Sequence, residues 1–401
     1  MAPLSGCGSE PPRSEQVEQV EQTEQTDGGV AQPSGGSVNT SRDAGSTPTV
    51  TAGPSVDAAT VAPAVAVADA AIASGPVPVQ MGDAATSAAD AQIQQPTIFP
   101  ALQPAQVGAP TLLAKGFTLA ESPTWDPCGK RLIVTDPTKN TISEIAPDGQ
   151  VSVVLADTNY TNGIAYDRDG SLLMAQMGNN NGGRVARLDR SGSVTVLSDK
   201  NTRGGRFHTT DDLVVRSDGM LYFSDGDFSH ADHTTLVLTP TPLFILKPGP
   251  EPRMLVAGPS VAGPNGVELS PDEKTLYLSA YFSDAVAKYE VAPDGSLSKA
   301  ATFASSLPSA DSLCLDAAGN LYVGIEGGLQ ILRPDGSKLK LIPIASNKVT
   351  NCTFGGAQGT TLYFTAWTEV WKVEAMPIPG LDWTINKQID CGPGPLPPVR
   401  H

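Results

Sequence analysis

A pattern of polar and apolar positions recurs six times between Glu121 and Leu362. Each repeat begins with a residue that carries a side-chain oxygen, and a leucine at the start of a strand-like segment follows ten or eleven residues later. We call these first residues the openers: Glu121, Asn162, Asp211, Asn265, Asp311 and Asn351. Between opener and leucine lie alternating residues and a turn rich in Asp-Gly and related pairs, as in YDRDGSLLMAQ. This pattern is typical of a β-hairpin.

Two further strand-like segments follow most hairpins, as in GLQILRPDGSKLKLIPIA after the fifth. Units of four strands that recur every ~40 to 55 residues are typical of β-propeller blades. The sixth unit lacks a clear fourth strand, whereas PTLLAKGF at 110–117 has the form that ends the other units. Pairing this segment with the last blade would remove an exposed strand edge. We therefore predict an all-β, six-bladed β-propeller closed by an N-terminal strand.

The openers are predicted to converge, because the first strand of each propeller blade lines the central channel. Every opener is Asp, Glu or Asn, so the available ligands are all oxygen. Such a set favours Ca²⁺, with Mg²⁺ or Mn²⁺ as alternatives, and carboxylates also bind Zn²⁺. The competing explanation is that Asn and Asp at strand starts only cap turns through hydrogen bonds to the backbone.

Composition divides the chain near residue 110. Residues 1–108 contain no Trp, Tyr or Lys, and Ala, Gly, Ser, Thr, Pro, Gln and Val dominate them. Such a segment cannot bury enough apolar surface to offset the entropy of ordering, so we predict a disordered, low-complexity spacer at 1–108 and the propeller at 109–401. The net charge of −16, to which the spacer contributes most, argues against nucleic-acid and anionic-membrane partners.

The segment LSGC near the N-terminus resembles the lipobox of bacterial lipoproteins, with Cys7 as the residue that would be acylated. The few residues before Cys7 contain neither a charged nor an apolar signal segment, so the alternatives are an upstream start and a chance match. A long polar spacer after Cys7 suits a lipid-anchored surface domain. The expectation is an extracytoplasmic protein, either a bacterial envelope lipoprotein or a secreted or periplasmic one.

Four further cysteines lie in the predicted propeller. Cys128 and Cys391 lie in turns rich in Pro and Gly, which favours a bridge between them. Cys314 and Cys352 lie in apolar strand contexts, where a small buried thiol is the commoner explanation. Sequence alone does not determine the pairing.

Five segments carry a resemblance to a known family. They are ESPTW at Glu121–Trp125, TNGIAYDRDGSLL at Thr161–Leu173, DDLVVRSDGMLYFSD at Asp211–Asp225, GPNGVELSPDEKTLY at Gly263–Tyr277 and ADSLCLDAAGNLYV at Ala310–Val323. The run resembles the regucalcin/gluconolactonase family of six-bladed, calcium-dependent lactonases. The resemblance covers nearly all of residues 110–375.

The resemblance implies a role for several openers. Glu121, Asn265 and Asp311 match metal ligands of the family, and Asp311 also matches its preferred general base. The third-blade position is normally Asn in the family, so Asp211 replaces an amide by a carboxylate and is a fourth expected ligand. His208 is an alternative base.

The third-blade segment HTTDD also departs from the family where sugar-acid lactonases present Arg or Asn. We expect substrate contacts from His208 and Thr209 there, and from Asn162 and Asn351. Gluconolactone itself is therefore in doubt as the substrate.

The function implied is metal-assisted hydrolysis of a small lactone or cyclic ester. The cation would polarise the carbonyl, and a carboxylate would take a proton from the attacking water. Two alternatives stay open at this point: a non-catalytic propeller that binds a ligand or partner at its mouth, and a phosphotriesterase-type hydrolase. A scaffold has no need of Glu121, Asn265 and Asp311 together, which favours an enzyme.

Overall fold

The computed structural model describes residues 98–178, 182–200, 204–226, 243–247, 253–256, 263–344, 348–386, 388–389 and 391. Cys7 and most of the predicted spacer lie outside these residues. The described residues form six antiparallel sheets of four strands and one short C-terminal helix. The predicted all-β, six-bladed architecture is confirmed.

The first three sheets follow chain order. The first blade contains β2 (Glu121–Asp126), β3 (Arg131–Asp136), β4 (Thr141–Ile145) and β5 (Val151–Ala156). The second contains β6 (Thr161–Tyr166), β7 (Leu172–Gln176), β8 (Arg184–Leu188) and β9 (Val194–Ser198). The third contains β10 (Thr209–Val215), β11 (Leu221–Gly226), β12 (Leu243–Lys247) and β13 (Arg253–Val256).

The next two sheets repeat the arrangement. The fourth blade contains β14 (Pro264–Leu269), β15 (Thr275–Ala280), β16 (Ala285–Val291) and β17 (Leu297–Ser305). The fifth contains β18 (Leu313–Leu315), β19 (Leu321–Ile325), β20 (Gly328–Leu332) and β21 (Lys338–Pro343).

The sixth sheet combines strands from both ends of the described chain. It contains β22 (Asn351–Gly355), β23 (Thr361–Ala366), β24 (Glu369–Val373) and β1 (Thr111–Lys115). Strand β1 pairs antiparallel with β24, with Thr111 opposite Lys372 and Lys115 opposite Glu369. The segment predicted at 110–117 therefore contains a strand, β1, and it is the outer strand of this blade.

The inner strands form a ring. Strand β2 contacts β6, β6 contacts β10, and the contacts continue through β14 and β18 to β22, which contacts β2. Six apolar clusters lie between neighbouring blades, one at each junction. The repeated leucines explain this packing, because Leu132, Leu172, Leu221, Leu276, Leu321 and Leu362 are all buried in these clusters.

Residues before β1 also pack against the blades. Leu102 and Val107, both within the predicted spacer 1–108, are buried in the cluster between the fifth and sixth blades. The ammonium of Lys340 donates hydrogen bonds to the carbonyls of Pro104 and Val107. The packed chain therefore includes residues that precede the predicted boundary at 109.

Two disulfides are present among the described cysteines. Cys128 bonds to Cys391, as the sequence favoured, and ties the C-terminal segment to the first blade. Cys314 bonds to Cys352 and joins the inner strands of the fifth and sixth blades. The prediction of buried free thiols at Cys314 and Cys352 is wrong, because neighbouring inner strands bring the two sulfurs together.

The C-terminal helix α1 (Leu381–Asn386) contacts the inner strands β18 and β22. Trp383 of this helix donates its ring N–H to the carbonyl of Gly356, at 3.0 Å. In the part of the chain that the structure describes, no helix combines the length and apolar character needed to cross a membrane.

Candidate active site

All six openers lie within two residues of the beginning of an inner strand. Each is buried, with relative exposures between 4% and 8%. Because the inner strands form a ring, the openers meet at one end of the channel, as the repeat predicted. We call this the opener end.

Backbone bulges set the direction of the first four openers. In the second, third and fourth blades, the opener and the residue after it stand opposite a single residue of the next strand. In the first blade the bulge directly follows Glu121, and Ser122 there has a left-handed φ of 36°. Bulges re-aim side chains and occur next to active sites. No register shift occurs in the sixth blade between Asn351 and Gly355, so Asn351 starts a regular strand and no bulge redirects its side chain.

Two glycines let neighbouring openers approach each other. A Cβ at Gly163 would meet the carbonyl oxygen of Asp211 at 2.6 Å. A Cβ at Gly266 would meet Cα of Ser312 at 2.4 Å and the carbonyl oxygen of Asp311 at 2.8 Å. Any larger residue would push the inner strands apart. Glycine after Asn162 and after Asn265 is therefore part of how the site is built.

Four of the six openers are joined in two pairs by hydrogen bonds. The Asn162 amide donates to Oδ1 of Asp211. The side chain of Asn265 donates a hydrogen bond to Asp311, and its own oxygen accepts one from the Ser312 hydroxyl at 3.4 Å. The two amide openers thus orient the two aspartates.

The three carboxylate openers repel one another. Burial, followed by the charges of Asp311 and Asp211, raises the pKa of Glu121 well above its usual range. Burial and Asp311 also raise the pKa of Asp211 well above its usual range. A cation placed among the three would relieve this repulsion.

A buried lysine lies in this acidic cluster, and sequence reasoning did not identify it. The Lys348 ammonium forms an ion pair with Oδ2 of Asp311, and the side chain is 12% exposed. Burial raises the pKa of Asp311, and the charge of Lys348 opposes that rise. The available signal was weak: Lys348 is a basic residue three positions before the opener Asn351.

A second acidic group lies deeper in the channel. Asp212, Glu268 of β14 and Asp382 of α1 line one cavity, together with Asn351. Burial raises the pKa of Asp212 to about 7 and that of Asp382 to about 6. Burial also raises the pKa of Glu268 well above its usual range, and Asp382 adds to the effect. Asn351 thus borders this cavity as well, and its predicted role in substrate binding stays a prediction.

The residues predicted to contact substrate beside the third opener lie at the start of β10. The backbone N–H of His208 donates to Oδ2 of Asp225 at 3.1 Å. Thr209 is buried, and its hydroxyl donates to the carbonyl of Gly226. The roles of His208 as an alternative base and of both residues in substrate binding stay predictions.

The chemistry of the donors suits a hard cation, because the opener end offers three carboxylates and the amide oxygen of Asn265. One ammonium, that of Lys348, faces these three carboxylates. Within the described residues, however, no three His, Cys, Asp or Glu side chains form a ready-made metal cluster. Lys348 engages Asp311 and Asn162 engages Asp211, so a bound ion would require these side chains to move.

Comparison with known proteins places the chain in a family. Residues 119–368 match the SMP-30/gluconolactonase/LRE-like region. A gluconolactonase from Zymomonas mobilis is 28% identical over 293 residues, which cover 65% of this chain and 80% of that protein.

Two solved structures share the fold. A gluconolactonase from Xanthomonas campestris superposes with a TM-score of 0.59 at 26% identity, over 67% of this chain and 89% of that one. The calcium-binding protein regucalcin from Agrobacterium tumefaciens has a TM-score of 0.54 at 16% identity, over 68% of this chain and 97% of that one. The latter identity shows the fold alone. With most of its propeller matched, the chain belongs to the SMP-30/gluconolactonase/LRE-like family.

Proposed function

We propose that this protein hydrolyses lactones or related cyclic esters at the opener end of its channel, with a divalent cation, by preference Ca²⁺. The observation that carries the proposal is the set of Glu121, Asp211, Asn265 and Asp311, four buried oxygen donors on the first, third, fourth and fifth blades of one ring. The sequence similarity to a gluconolactonase supports the reaction class.

Glu121, Asp211, Asn265 and Asp311 would hold the ion. When bound, it would supply Lewis acidity toward the carbonyl oxygen of the ester. The buried site excludes bulk water, which strengthens every electrostatic contact inside it. Mg²⁺, Mn²⁺ and Zn²⁺ are the alternative ions.

Asp311 is the proposed general base. Hydrogen bonding from Asn265 fixes its carboxylate, and the charge of Lys348 favours its ionised form, which is the form that accepts a proton. Asp311 would take a proton from the attacking water. Asn162 orients Asp211 through its hydrogen bond. The volume open to substrate would be lined by Asn162, Asn351, His208 and Thr209.

The test is hydrolysis of a panel of sugar and aliphatic lactones, with Ca²⁺ and with a chelator, by the wild type and by Glu121→Gln. We expect the chelator to abolish turnover and Glu121→Gln to lower kcat/KM ~100-fold or more. Glu144→Gln is the matched control, because Glu144 lies on β4 of the same blade, away from the openers, and pairs with Arg131.

Each contrary outcome is distinct. Activity that neither the chelator nor Glu121→Gln reduces would contradict the metal mechanism. Calcium binding without turnover of any lactone or phosphotriester would favour a non-catalytic binding propeller. Turnover of phosphotriesters in preference to lactones would favour the phosphotriesterase alternative.

We also propose an extracytoplasmic location with a lipid anchor at Cys7. The two disulfides support this proposal, because structural disulfides persist mainly in oxidising compartments. Metabolic labelling with palmitate should modify the wild type and leave Cys7→Ser unlabelled. Label on both proteins, or on neither, would contradict it.

A further inference from the structure

Lys348 contacts an anion and an aromatic ring at once. Its ammonium pairs with Oδ2 of Asp311 and lies 4.0 Å from the ring centre of Tyr281. The lysine is therefore a cation held beside the carboxylate openers.

The backbone after Lys348 is firmly held. Val349 is fully buried, and its N–H donates to the carbonyl of Ile325 at 3.1 Å. Thr350 donates its N–H to Thr365 and its hydroxyl to the carbonyl of Ala120, at 2.9 Å and 2.7 Å. Rotation of the Lys348 side chain can therefore move the ammonium and leave the inner strands in place.

The Tyr281 ring is also fixed in position. Tyr281 begins a single 3₁₀ turn after β15, and its N–H donates to the carbonyl of Gly263 at 2.8 Å. Its ring packs edge-to-face on Phe282, with ring centres 5.1 Å apart. A cation can stay on an aromatic face without a carboxylate. Lys348 can thus release Asp311 and keep its contact with Tyr281.

We propose that Lys348 is a built-in competitor of the metal ion for Asp311, and that it sets the affinity of the centre for its ion. This inference rests on the proposed metal centre. Asp311 is a proposed ligand of the ion. The oxygen that pairs with Lys348 cannot make full contact with a metal ion and with the ammonium at the same time. An ion that binds through this oxygen therefore displaces Lys348 toward Tyr281, where its charge still repels the ion.

The expected effect is large because both cations are buried. At a separation of about 5 Å and an effective dielectric constant of about 20, the repulsion between an ammonium and a divalent ion corresponds to several powers of ten in affinity. Withdrawal of the Lys348 side chain reduces this repulsion greatly. We expect removal of the ammonium to tighten Ca²⁺ binding by ~10- to 100-fold.

The experiment is calorimetric titration of the apoprotein with Ca²⁺, and separately with Mn²⁺, for the wild type and four variants. Lys348→Met removes the charge and the hydrogen bond. Lys348→Gln removes the charge and keeps a donor for Asp311, so it serves if the methionine variant unfolds. Lys348→Arg keeps the charge. Lys340→Met is the matched control, since its ammonium binds the backbone carbonyls of Pro104 and Val107.

The inference predicts tighter binding by Lys348→Met and Lys348→Gln, and unchanged affinity for Lys348→Arg and Lys340→Met. Equal or weaker binding by the two neutral variants, with a wild type that binds Ca²⁺, would overturn the role of Lys348 and leave the metal centre intact. Absence of binding by every protein at millimolar Ca²⁺ and Mn²⁺ would overturn the metal centre and the competition together.

Discussion

The side-chain amide of Asn162 donates a hydrogen bond to the carboxylate of Asp211, which joins the openers of the second and third blades. Asp211 is buried, and its pKa is raised well above the usual range, first by burial and then by Asp311. Asn162 therefore orients a carboxylate whose charge the apoprotein disfavours. Removing the charge of Asp211 should therefore affect the stability of the apoprotein and its affinity for an ion in opposite directions.

Asp211→Asn should stabilise the apoprotein and weaken ion binding. The substitution removes one of three mutually repelling carboxylates and keeps an oxygen that can accept the Asn162 hydrogen bond. We expect the apoprotein to gain ~1 kcal/mol in free energy of unfolding and Ca²⁺ affinity to fall ~10-fold or more. Thermal melting in chelator and calorimetric titration measure the two effects. Asp148→Asn, at an exposed turn, is the control, and an unchanged Ca²⁺ affinity would remove Asp211 from the ligand set.

Gly266→Ala should destabilise the opener end. The added methyl group would meet Cα of Ser312 at 2.4 Å and the carbonyl oxygen of Asp311 at 2.8 Å, so the fourth and fifth inner strands must separate. We expect a loss of ~1–3 kcal/mol in urea unfolding. Gly108→Ala is matched in chemistry, because its methyl group would meet Val373 at an ordinary 3.5 Å. Equal stability of the two variants would refute the close-approach argument.

The disulfide between Cys314 and Cys352 should stabilise the ring near Asp311 and Asn351. Loss of this bond from Cys314→Ser/Cys352→Ser should lower the free energy of unfolding by ~2–4 kcal/mol, since it closes a loop of 38 residues. Urea unfolding with and without reductant measures this. A reductant should then affect the double variant less than the wild type. Equal stability of oxidised wild type and double variant would indicate that the bond does not form in solution.

Asp382→Asn should change how stability depends on pH. The pKa of Asp382 is about 6 because of burial, so the folded protein binds its proton more tightly than the unfolded chain, whose carboxyl titrates near 3.9. Stability should therefore fall as pH rises from about 4 through about 6. Asparagine removes this loss, and we expect a gain of ~1–2 kcal/mol at pH 8 and none at pH 4.

Urea midpoints at pH 4, 6 and 8 test this expectation. Asp335→Asn is the control, because Asp335 lies in an exposed turn and hydrogen bonds lower its pKa. A gain for Asp382→Asn that is the same at all three pH values would show that ionisation of Asp382 is not the cause.

The amino-acid sequence by itself determined the blade. The positions at which each repeat begins and turns depend on properties that are visible along the chain. These are the alternation of apolar residues, the Asp-Gly turns and a leucine that must be buried between blades. These properties predicted six units, the strand at 110–117 and the six oxygen-bearing openers. The favoured pairing of Cys128 with Cys391 is confirmed as well.

Tertiary structure decided which groups the openers meet. Lys348 and Tyr281 are far apart in sequence and meet at Asp311 only because the ring brings their blades together. The same geometry joins Cys314 to Cys352 and brings Asp382 to Glu268. The physical reason is that burial and Coulomb interactions depend on distances across the ring, whereas the repeat records only spacing along the chain. Sequence thus predicted the oxygen-bearing openers, and folding placed the Lys348 ammonium among them.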